Sequence, residues 1–352
     1  MAAVRPAPPS PGFRFGLAPA LALLCAALPL AAAAAERAPV LLATTGEAAL
    51  ELPAGERVTA RLPPGAALET TASLSSGWLA AGTQPAGDAP GARDLLLLAG
   101  EGQTVSILPA PPGRAAALRQ EPLPLVDEGR LSGLAWLEGE GSTSFGVRFA
   151  AWNGTGWEAP QTIAPPGPGS QLALTAARLH DGSWLLAWSA FDGHDDEIVW
   201  SRGHDGVWSR PQPVTNNRVP DITPALTAAG DTALLAWSRY DAALGQYRVV
   251  VSRLSDGRWT PAAPAGPPGS RFPTFEPASD GKVRMLYRIA APQGWEVAEL
   301  DATGRIGWRA AVPGVESARP IVISNAAGDI AFRWPAAGTE RAAAWTTEER
   351  KP

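Results

Sequence analysis

The chain has 352 residues with a net charge of −5, and 45% of them are hydrophobic, which is enough for a sizeable core and excludes a disordered chain. Its 37 glycines and 36 prolines exclude long helices and coiled coils and favour short strands joined by turns. No stripe of basic residues is present to neutralise phosphates, which argues against nucleic acid as a partner.

The N-terminal segment has the features of a secretory signal. Arg5 and Arg14 precede an apolar run over residues 17–30, which is followed by a run of alanines suited to cleavage. Two prolines interrupt the run and argue against a membrane-spanning helix. We therefore predict a signal peptide over residues 1–35 and an exported protein, periplasmic or extracellular, with no membrane span in the mature chain. An uncleaved anchor and a lipoprotein modified at Cys25 are the alternatives.

After this leader, the chain repeats about every 50 residues. An apolar run that ends in an aromatic residue recurs with spacings of 52, 49, 50 and 47, at Trp136, Trp188, Trp237, Tyr287 and Trp334. A glycine-containing turn followed by tryptophan recurs with spacings of 51, 51 and 49, at Trp157, Trp208, Trp259 and Trp308. Two independent markers with one period predict a repeat architecture.

Each repeat resolves into four short strands separated by turns. In residues 171–215, strand-like runs cover 171–179, 184–189, 197–202 and 208–214. Residues 222–263 repeat the same order of runs and turns. Four antiparallel strands per repeat predict an all-β fold of the β-propeller class, in which each blade buries one face against its neighbour.

We predict one propeller domain over residues 36–352 with six blades, and counts of five or seven stay open. Clear repeats cover about 120–315, a degenerate blade covers 65–112, and an incomplete last blade covers 318–349. A strand from residues 40–62 is the candidate that completes the last blade and closes the ring, since closure removes exposed sheet edges.

The turns after the third strands resemble those of the sialidase-like propellers, which carry BNR or Asp-box repeats. Residues 201–208, Ser-Arg-Gly-His-Asp-Gly-Val-Trp, and 252–259, Ser-Arg-Leu-Ser-Asp-Gly-Arg-Trp, are similar to the family's Ser-x-Asp-x-Gly-x-x-Trp turn, with the Asp shifted toward the Gly. Residues 153–157 form a weaker copy, and the resemblance covers roughly 120–315.

In that family the box is a structural turn on the outer part of the blade. An Asp carboxylate can accept hydrogen bonds from turn amides, Gly supplies a positive φ, and Trp packs between sheets. We therefore expect structural roles for two sets of residues: Asp205, Gly206 and Trp208, and Asp256, Gly257 and Trp259.

The resemblance also implies a catalytic set of three arginines, a Tyr–Glu pair and an Asp acid/base, which this sequence does not present. Residues 271–273, Arg-Phe-Pro, only partly match the family's first arginine motif, and they come late in the chain. Of the tyrosines, Tyr240 and Tyr247 border a hairpin, and Tyr287 replaces a repeated tryptophan, so we expect Tyr287 in the core. No Tyr–Glu pair follows from spacing. We predict no catalytic residue and a non-enzymatic module that binds or scaffolds a protein or an acidic glycan. The alternative is a sialidase-like glycoside hydrolase acting on acidic glycans.

Three blades begin with an arginine shortly before a proline, at Arg218, Arg271 and Arg319, with spacings of 53 and 48. The link into an innermost strand opens beside the central channel, so we expect these side chains to share one mouth and grip a carboxylate or sulfate. We expect Asp221 to hold one of the three in place. The alternative is that each arginine pairs with a neighbouring acid and stabilises its own blade.

The acidic segment 192–197 has carboxylates that suit a hard cation, but it matches no EF-hand spacing. We interpret it as a solvated hairpin between second and third strands. The three histidines share no zinc-site spacing. We therefore predict no metal site and no cofactor.

Overall fold

The computed structural model of the chain describes residues 38–312, except 54, 88–90, 115–116, 140–143, 168, 170, 230–231 and 277–281, together with residues 321–324, 330–333 and 342–345. The predicted signal peptide, Arg319 and Trp334 lie outside the described residues. Every regular element in these ranges is a β-strand. The described residues contain no helix that could span a membrane.

The described strands form seven successive groups of consecutive antiparallel strands, which we call sheets 1 to 7; one parallel residue pair, Arg93 with Leu118, joins sheets 2 and 3 into a continuous sheet. Sheet 1 contains β1 Val40–Ala43, β2 Glu47–Glu51 and β3 Arg57–Arg61. Sheet 2 contains β4 Ala67–Leu74, β5 Gly77–Pro85, β6 Arg93–Glu101 and β7 Thr104–Leu108. Sheet 3 contains β8 Leu118–Asp127, β9 Arg130–Gly139, β10 Phe145–Ala151 and β11 Gln161–Ala164.

Sheet 4 contains β12 Gln171–Arg178, β13 Trp184–Phe191, β14 Asp196–His204, β15 Val207–Trp208 and β16 Gln212–Pro213. Sheet 5 contains β17 Asp221–Ala229, β18 Thr232–Asp241, β19 Gln246–Ser255, β20 Arg258–Trp259 and β21 Ala263–Pro264. Sheet 6 contains β22 Arg271–Glu276, β23 Val283–Ala290, β24 Gln293–Leu300 and β25 Ile306–Ala311. Sheet 7 contains β26 Ile321–Ser324, β27 Ile330–Arg333 and β28 Ala342–Trp345.

The first strands of successive sheets lie side by side. β4 contacts β8, β8 contacts β12, β12 contacts β17, and β17 contacts β22. Four-stranded sheets whose first strands are neighbours have the radial arrangement of propeller blades. The predicted all-β architecture of antiparallel sheets is confirmed, and sheets 2 to 6 contain strands in the ranges where the sequence predicts them.

Two details differ from the sequence prediction. The predicted fourth strands over 208–214 and 259–263 are each split into two short pieces, because prolines at 211 and 261 lack the amide that a ladder needs.

Residues 40–62 form a sheet of their own, and no ladder in the described ranges joins it to sheet 7. The predicted completion of the last blade by one of these strands is therefore not seen. The three strands form their ladder hydrogen bonds with one another instead.

The repeated aromatic residues form the core between sheets. Trp136, Trp188, Trp237 and Tyr287 are at most 1% exposed. Each of the last three belongs to an apolar cluster shared with the preceding sheet. The predicted core positions of these four residues are confirmed.

Candidate ligand-binding face

Each innermost strand of sheets 3 to 6 contains a β-bulge near its first residues. The bulge residue has a positive φ of 50–58° in this set: Glu121 (φ 50), Ala173 (φ 58), Thr223 (φ 54) and Phe272 (φ 55). The ladder between β4 and β5 shifts register between Leu68 and Thr70, which places Glu69 at the same position in sheet 2. These bulges bend each innermost strand at the same level and give the structural register of the repeat.

The amide of each bulge is held by an acceptor from the preceding sheet. Ser189 Oγ accepts a hydrogen bond from the amide of Thr223 at 3.2 Å. Ser238 Oγ accepts one from the amide of Phe272 at 2.9 Å. A bulge leaves its residue out of the ladder, so these seryl hydroxyls satisfy amides that would otherwise lack partners.

Two carboxylates perform this task earlier in the chain. Glu121 Oε2 accepts a hydrogen bond from the amide of Leu174 at 3.0 Å, and the carboxylate of Glu69 accepts one from the amide of Glu121. Burial raises the pKa of Glu121, and the negative charge of Glu69 adds to the effect. Partial desolvation by the surrounding strands likewise raises the pKa of Glu69, although this residue is exposed. Two carboxyl groups on neighbouring innermost strands therefore favour protonation more than free glutamates do.

The bulge of sheet 6 presents an aromatic ring beside a guanidinium. Phe272 is 41% exposed, and the Arg271 guanidinium carbon lies 5.8 Å from the centroid of its ring. Arg271 is exposed and forms no ion pair with any described residue. A bulky residue with positive φ is uncommon, so a large exposed ring at this position is a feature that the fold does not require.

Two tyrosines border the same edge of the neighbouring sheet. Tyr240 and Tyr247 face each other across the β18–β19 ladder, with ring centroids 5.4 Å apart in an edge-to-face arrangement. The amide of Gly269, in the link before Arg271, donates a hydrogen bond of 2.8 Å to the carbonyl of Tyr247. Burial raises the pKa of Tyr247, and the charge of Arg271 opposes that rise. We call Tyr240, Tyr247, Arg271 and Phe272 the aromatic–arginine face.

The predicted trio of Arg218, Arg271 and Arg319 is not structurally equivalent. Arg271 directly precedes the bulge residue Phe272, whereas Arg218 lies in the link before β17, five residues before the bulge residue Thr223. The alignment on prolines was wrong because proline positions differ between links, while the bulge position is constant. Arg319 lies outside the described residues. Arg218 and Arg271 are exposed and, within the described ranges, pair with no acid.

Asp221 does not hold Arg218, which differs from the prediction. Its carboxylate is fully buried and accepts hydrogen bonds from the Trp237 indole at 2.7 Å and from the Asn217 amide group at 2.6 Å. Arg239 donates to both of its oxygens, at 2.8 and 3.1 Å. Arg239, which lies directly opposite Asp221 in the ladder, was not among the predicted site residues. Asp221 is therefore a structural anchor of sheet 5.

The two Asp-Gly turns are tight two-residue hairpins. Asp205 and Gly206 have φ values of 48° and 75°, and Asp256 and Gly257 have values of 50° and 74°. Positive φ at both central residues defines a type I′ turn. Neither carboxylate accepts a turn amide in the described structure: the first lies 3.5 Å from the His204 ring, and the second accepts the Ser255 hydroxyl. The predicted capping role was wrong, because these aspartates serve the turn through their backbone conformation.

The tryptophans that follow these turns pack against the preceding sheet, as predicted. Trp208 lies edge-to-face with Phe149 at a centroid distance of 5.2 Å. Trp259 lies edge-to-face with Trp200 at 5.7 Å. The turns therefore fix the outer strands against neighbouring sheets.

A Tyr–Glu pair exists that spacing did not reveal. The Tyr287 hydroxyl donates a hydrogen bond of 2.7 Å to Glu296 Oε2, directly across the β23–β24 ladder. Burial and the charge of Glu296 raise the pKa of Tyr287 well above its usual range. A nucleophilic tyrosine needs the opposite shift and access to substrate, whereas Tyr287 is fully buried. This pair stabilises sheet 6.

Comparisons with known proteins show similarity in fold. No protein-family model matches the chain, and no curated protein matches its sequence. A protein of unknown function from Dyadobacter fermentans is 12% identical, with a TM-score of 0.51 over 80% of this chain and 94% of its own. The Hadza microbial sialidase Hz136 is 14% identical, with a TM-score of 0.49 over 87% of this chain and 74% of its own. The α-L-arabinofuranosidase Arb93A from Fusarium graminearum is 11% identical, with a TM-score of 0.48 over 80% and 94%. At such identity the first match shows a shared fold and nothing about activity.

Proposed function

We propose that this chain is an exported propeller that binds an acidic glycan on the aromatic–arginine face. One observation carries the proposal: the exposed Arg271 guanidinium lies 5.8 Å from the exposed ring of Phe272 and has no carboxylate partner among the described residues. A guanidinium offers paired N–H donors that match a carboxylate or sulfate. An exposed aromatic ring offers a flat apolar surface for the C–H face of a sugar.

The neighbouring tyrosines extend this surface. Tyr240 and Tyr247 are half-buried, and their rings pack edge-to-face against each other. A site formed by rings held in place loses little conformational freedom on binding. The face therefore suits a ligand of two or more sugar units that carries one negative charge opposite Arg271.

The binding experiment uses acidic and neutral oligosaccharides of matched length, namely sialyllactose against lactose and oligogalacturonate against its methyl ester. Calorimetric titration of the full chain should detect the acidic member of at least one pair. Arg271→Ala should weaken that binding about tenfold or more, as expected for loss of a charge-assisted hydrogen-bond pair. Arg258→Ala removes an equally exposed arginine beside the type I′ turn at the opposite end of sheet 5 and should leave binding unchanged. Equal binding of acidic and neutral sugars, or no effect of Arg271→Ala, would refute the proposal.

A glycoside hydrolase acting on acidic glycans is the second candidate, and one observation favours it. Glu69 and Glu121 occupy equivalent bulge positions on neighbouring innermost strands, and both have raised pKa values. A carboxyl group with a raised pKa can act as a general acid beside a second carboxylate. A panel of aryl glycosides, including a sialoside and a uronide, tests this candidate. Turnover that is abolished in both Glu69→Gln and Glu121→Gln would support it, and turnover unaffected by either change would refute it.

We also propose that sheets 1 and 7 close the ring, which gives seven blades. β1 contacts β4, although less extensively than the later first strands contact one another, and this contact supports a blade position for sheet 1. One cysteine introduced in β1 and one in β26 should then form a disulfide under mild oxidation. Failure of all such pairs to cross-link would contradict closure.

A further inference from the structure

The hairpin between β13 and β14 contains a carboxylate without a counter-charge. Asp195 is 9% exposed, and its Oδ1 atom is buried with no hydrogen-bond partner. An ionised carboxylate that has lost its hydration is costly unless donors or a positive charge replace the water. Buried polar atoms in folded proteins nearly always have such partners, so an orphaned carboxylate oxygen points to a missing ligand.

Two other carboxylates converge on Asp195. One oxygen from each of Asp192, Asp195 and Glu197 lies within 4.8 Å of the other two. The nearby cations do not neutralise this group: Arg239 is engaged with Asp221, and His194 is a highly exposed ring 3.7 Å from Asp192. Three acidic side chains are thus brought together at one point, and one of them has a buried oxygen without a hydrogen-bond partner.

The surrounding hydrogen bonds fix the outer two carboxylates. Asp192 Oδ1 accepts the amides of His194 and Asp195 at 2.8 and 3.2 Å, which leaves its Oδ2 for another partner. Glu197 Oε1 accepts the amide of Asn217 at 2.5 Å, in the link between sheets 4 and 5. A ligand held by both side chains would therefore connect the hairpin to that link.

We propose that Asp192, Asp195 and Glu197 bind a calcium ion. Calcium takes six to eight oxygen ligands in flexible geometry, so three carboxylates can be supplemented by water and backbone carbonyls. Magnesium requires a nearly regular octahedron and releases water reluctantly, which suits this irregular hairpin less well. Zinc prefers nitrogen and sulfur ligands, and neither contributes to this cluster. The site is independent of the aromatic–arginine face.

The test is a titration of the full chain, freed of metal by a chelator, with CaCl2. Calorimetry should show binding of one ion, and the melting temperature should rise with CaCl2 concentration, because a ligand that binds only the folded state stabilises it. Asp195→Asn keeps the shape and removes the charge, and it should weaken calcium binding about tenfold or more. Asp241→Asn is the matched control, since Asp241 accepts two amides in the corresponding hairpin of sheet 5. It should bind calcium like the unaltered chain.

Each variant is judged by its binding heat and by the rise of its melting temperature with CaCl2, rather than by its stability without calcium. Asp195→Asn changes that stability even without calcium, because it removes repulsion between the acidic side chains. If Asp195→Asn fails to fold, Asp192→Asn, at a more exposed position, serves the same test. The absence of binding heat and of any melting shift at millimolar CaCl2 would overturn the proposal, and so would an undiminished calcium response in the variant. MgCl2 that binds as tightly as CaCl2 would overturn the assignment to calcium.

Discussion

Ser238 Oγ accepts a hydrogen bond of 2.9 Å from the amide of Phe272, which joins the second strand of sheet 5 to the bulge of sheet 6. The same hydroxyl lies 2.8 Å from that of Thr223, the bulge residue of its own sheet. Ser189 repeats the relationship with the amide of Thr223. A serine after the core tryptophan thus positions the residue at the start of the next innermost strand, including Phe272 of the candidate site.

We predict that Ser238→Ala lowers the free energy of unfolding by about 1–3 kcal/mol, because it removes the acceptor of the Phe272 amide. Ser238 is fully buried, so water cannot replace the hydroxyl. Urea unfolding measures the effect. Ser255→Ala is the control, since that hydroxyl contacts only the exposed carboxylate of Asp256, and it should be nearly neutral. Equal stability of the two variants would argue against the role of the serine.

Trp237 and Trp188 are equally buried but differ at the indole nitrogen. Trp237 Nε1 donates to buried Asp221 at 2.7 Å, whereas Trp188 Nε1 has no partner in the described part of the chain. Trp237→Phe should therefore cost about 1–3 kcal/mol more than Trp188→Phe, because it removes a donor from a buried carboxylate. Alanine at either position should cost about 3–5 kcal/mol. Chemical unfolding of the four variants tests both statements, and equal losses for the two phenylalanine variants would contradict the first.

The backbone conformation of the Asp-Gly turns predicts that glycine is tolerated at position 205 better than alanine. Asp205 has a φ of 48° and a side chain that caps no turn amide, so Asp205→Gly should leave stability unchanged or raise it slightly. Asp205→Ala should lower stability by about 1 kcal/mol, because alanine disfavours positive φ. Thermal unfolding compares the two. A larger loss for glycine than for alanine would show that the carboxylate, rather than the backbone, stabilises the turn.

The raised pKa of Glu121 predicts a pH dependence of stability. In the folded chain this pKa lies above the usual 4.5, so between 4.5 and the folded value the folded state binds more protons than the unfolded state. The associated stability is present below pH 4.5 and is lost as the pH rises through the folded pKa. Glu121→Gln stays neutral, so the stability of the unaltered chain should fall relative to this variant as the pH is raised from 4.5. A difference that does not change with pH would contradict the assigned shift.

The repeat and most strands could be predicted from the sequence, because buried tryptophans recur at one ladder position and Gly or Asp marks the turns. Trp188 and Trp237 illustrate this, since each ends an apolar run and lies between sheets. The bulges could not be predicted, because a bulge depends on acceptors from the preceding sheet and leaves no fixed residue type. Glu121, Ala173, Thr223 and Phe272 share only a backbone conformation.

The arginine site was misaligned for the same reason. Arg218 and Arg271 share a nearby proline in sequence, but Arg218 lies in a link five residues before its bulge residue, whereas Arg271 is the first residue of β22 and directly precedes Phe272. The pairing of Asp221 with Arg239 also depends on ladder register, which brings together residues 18 positions apart. Register, which the sequence spacing does not give, decides that Asp221 pairs with Arg239.

The most direct test of the proposed binding site is a crystal structure of the chain with an acidic oligosaccharide identified by the titrations. We expect the ligand carboxylate within hydrogen-bond distance of the Arg271 guanidinium and a sugar ring against Phe272. A ligand seated instead between Glu69 and Glu121, or one that contacts neither Arg271 nor Phe272, would contradict it.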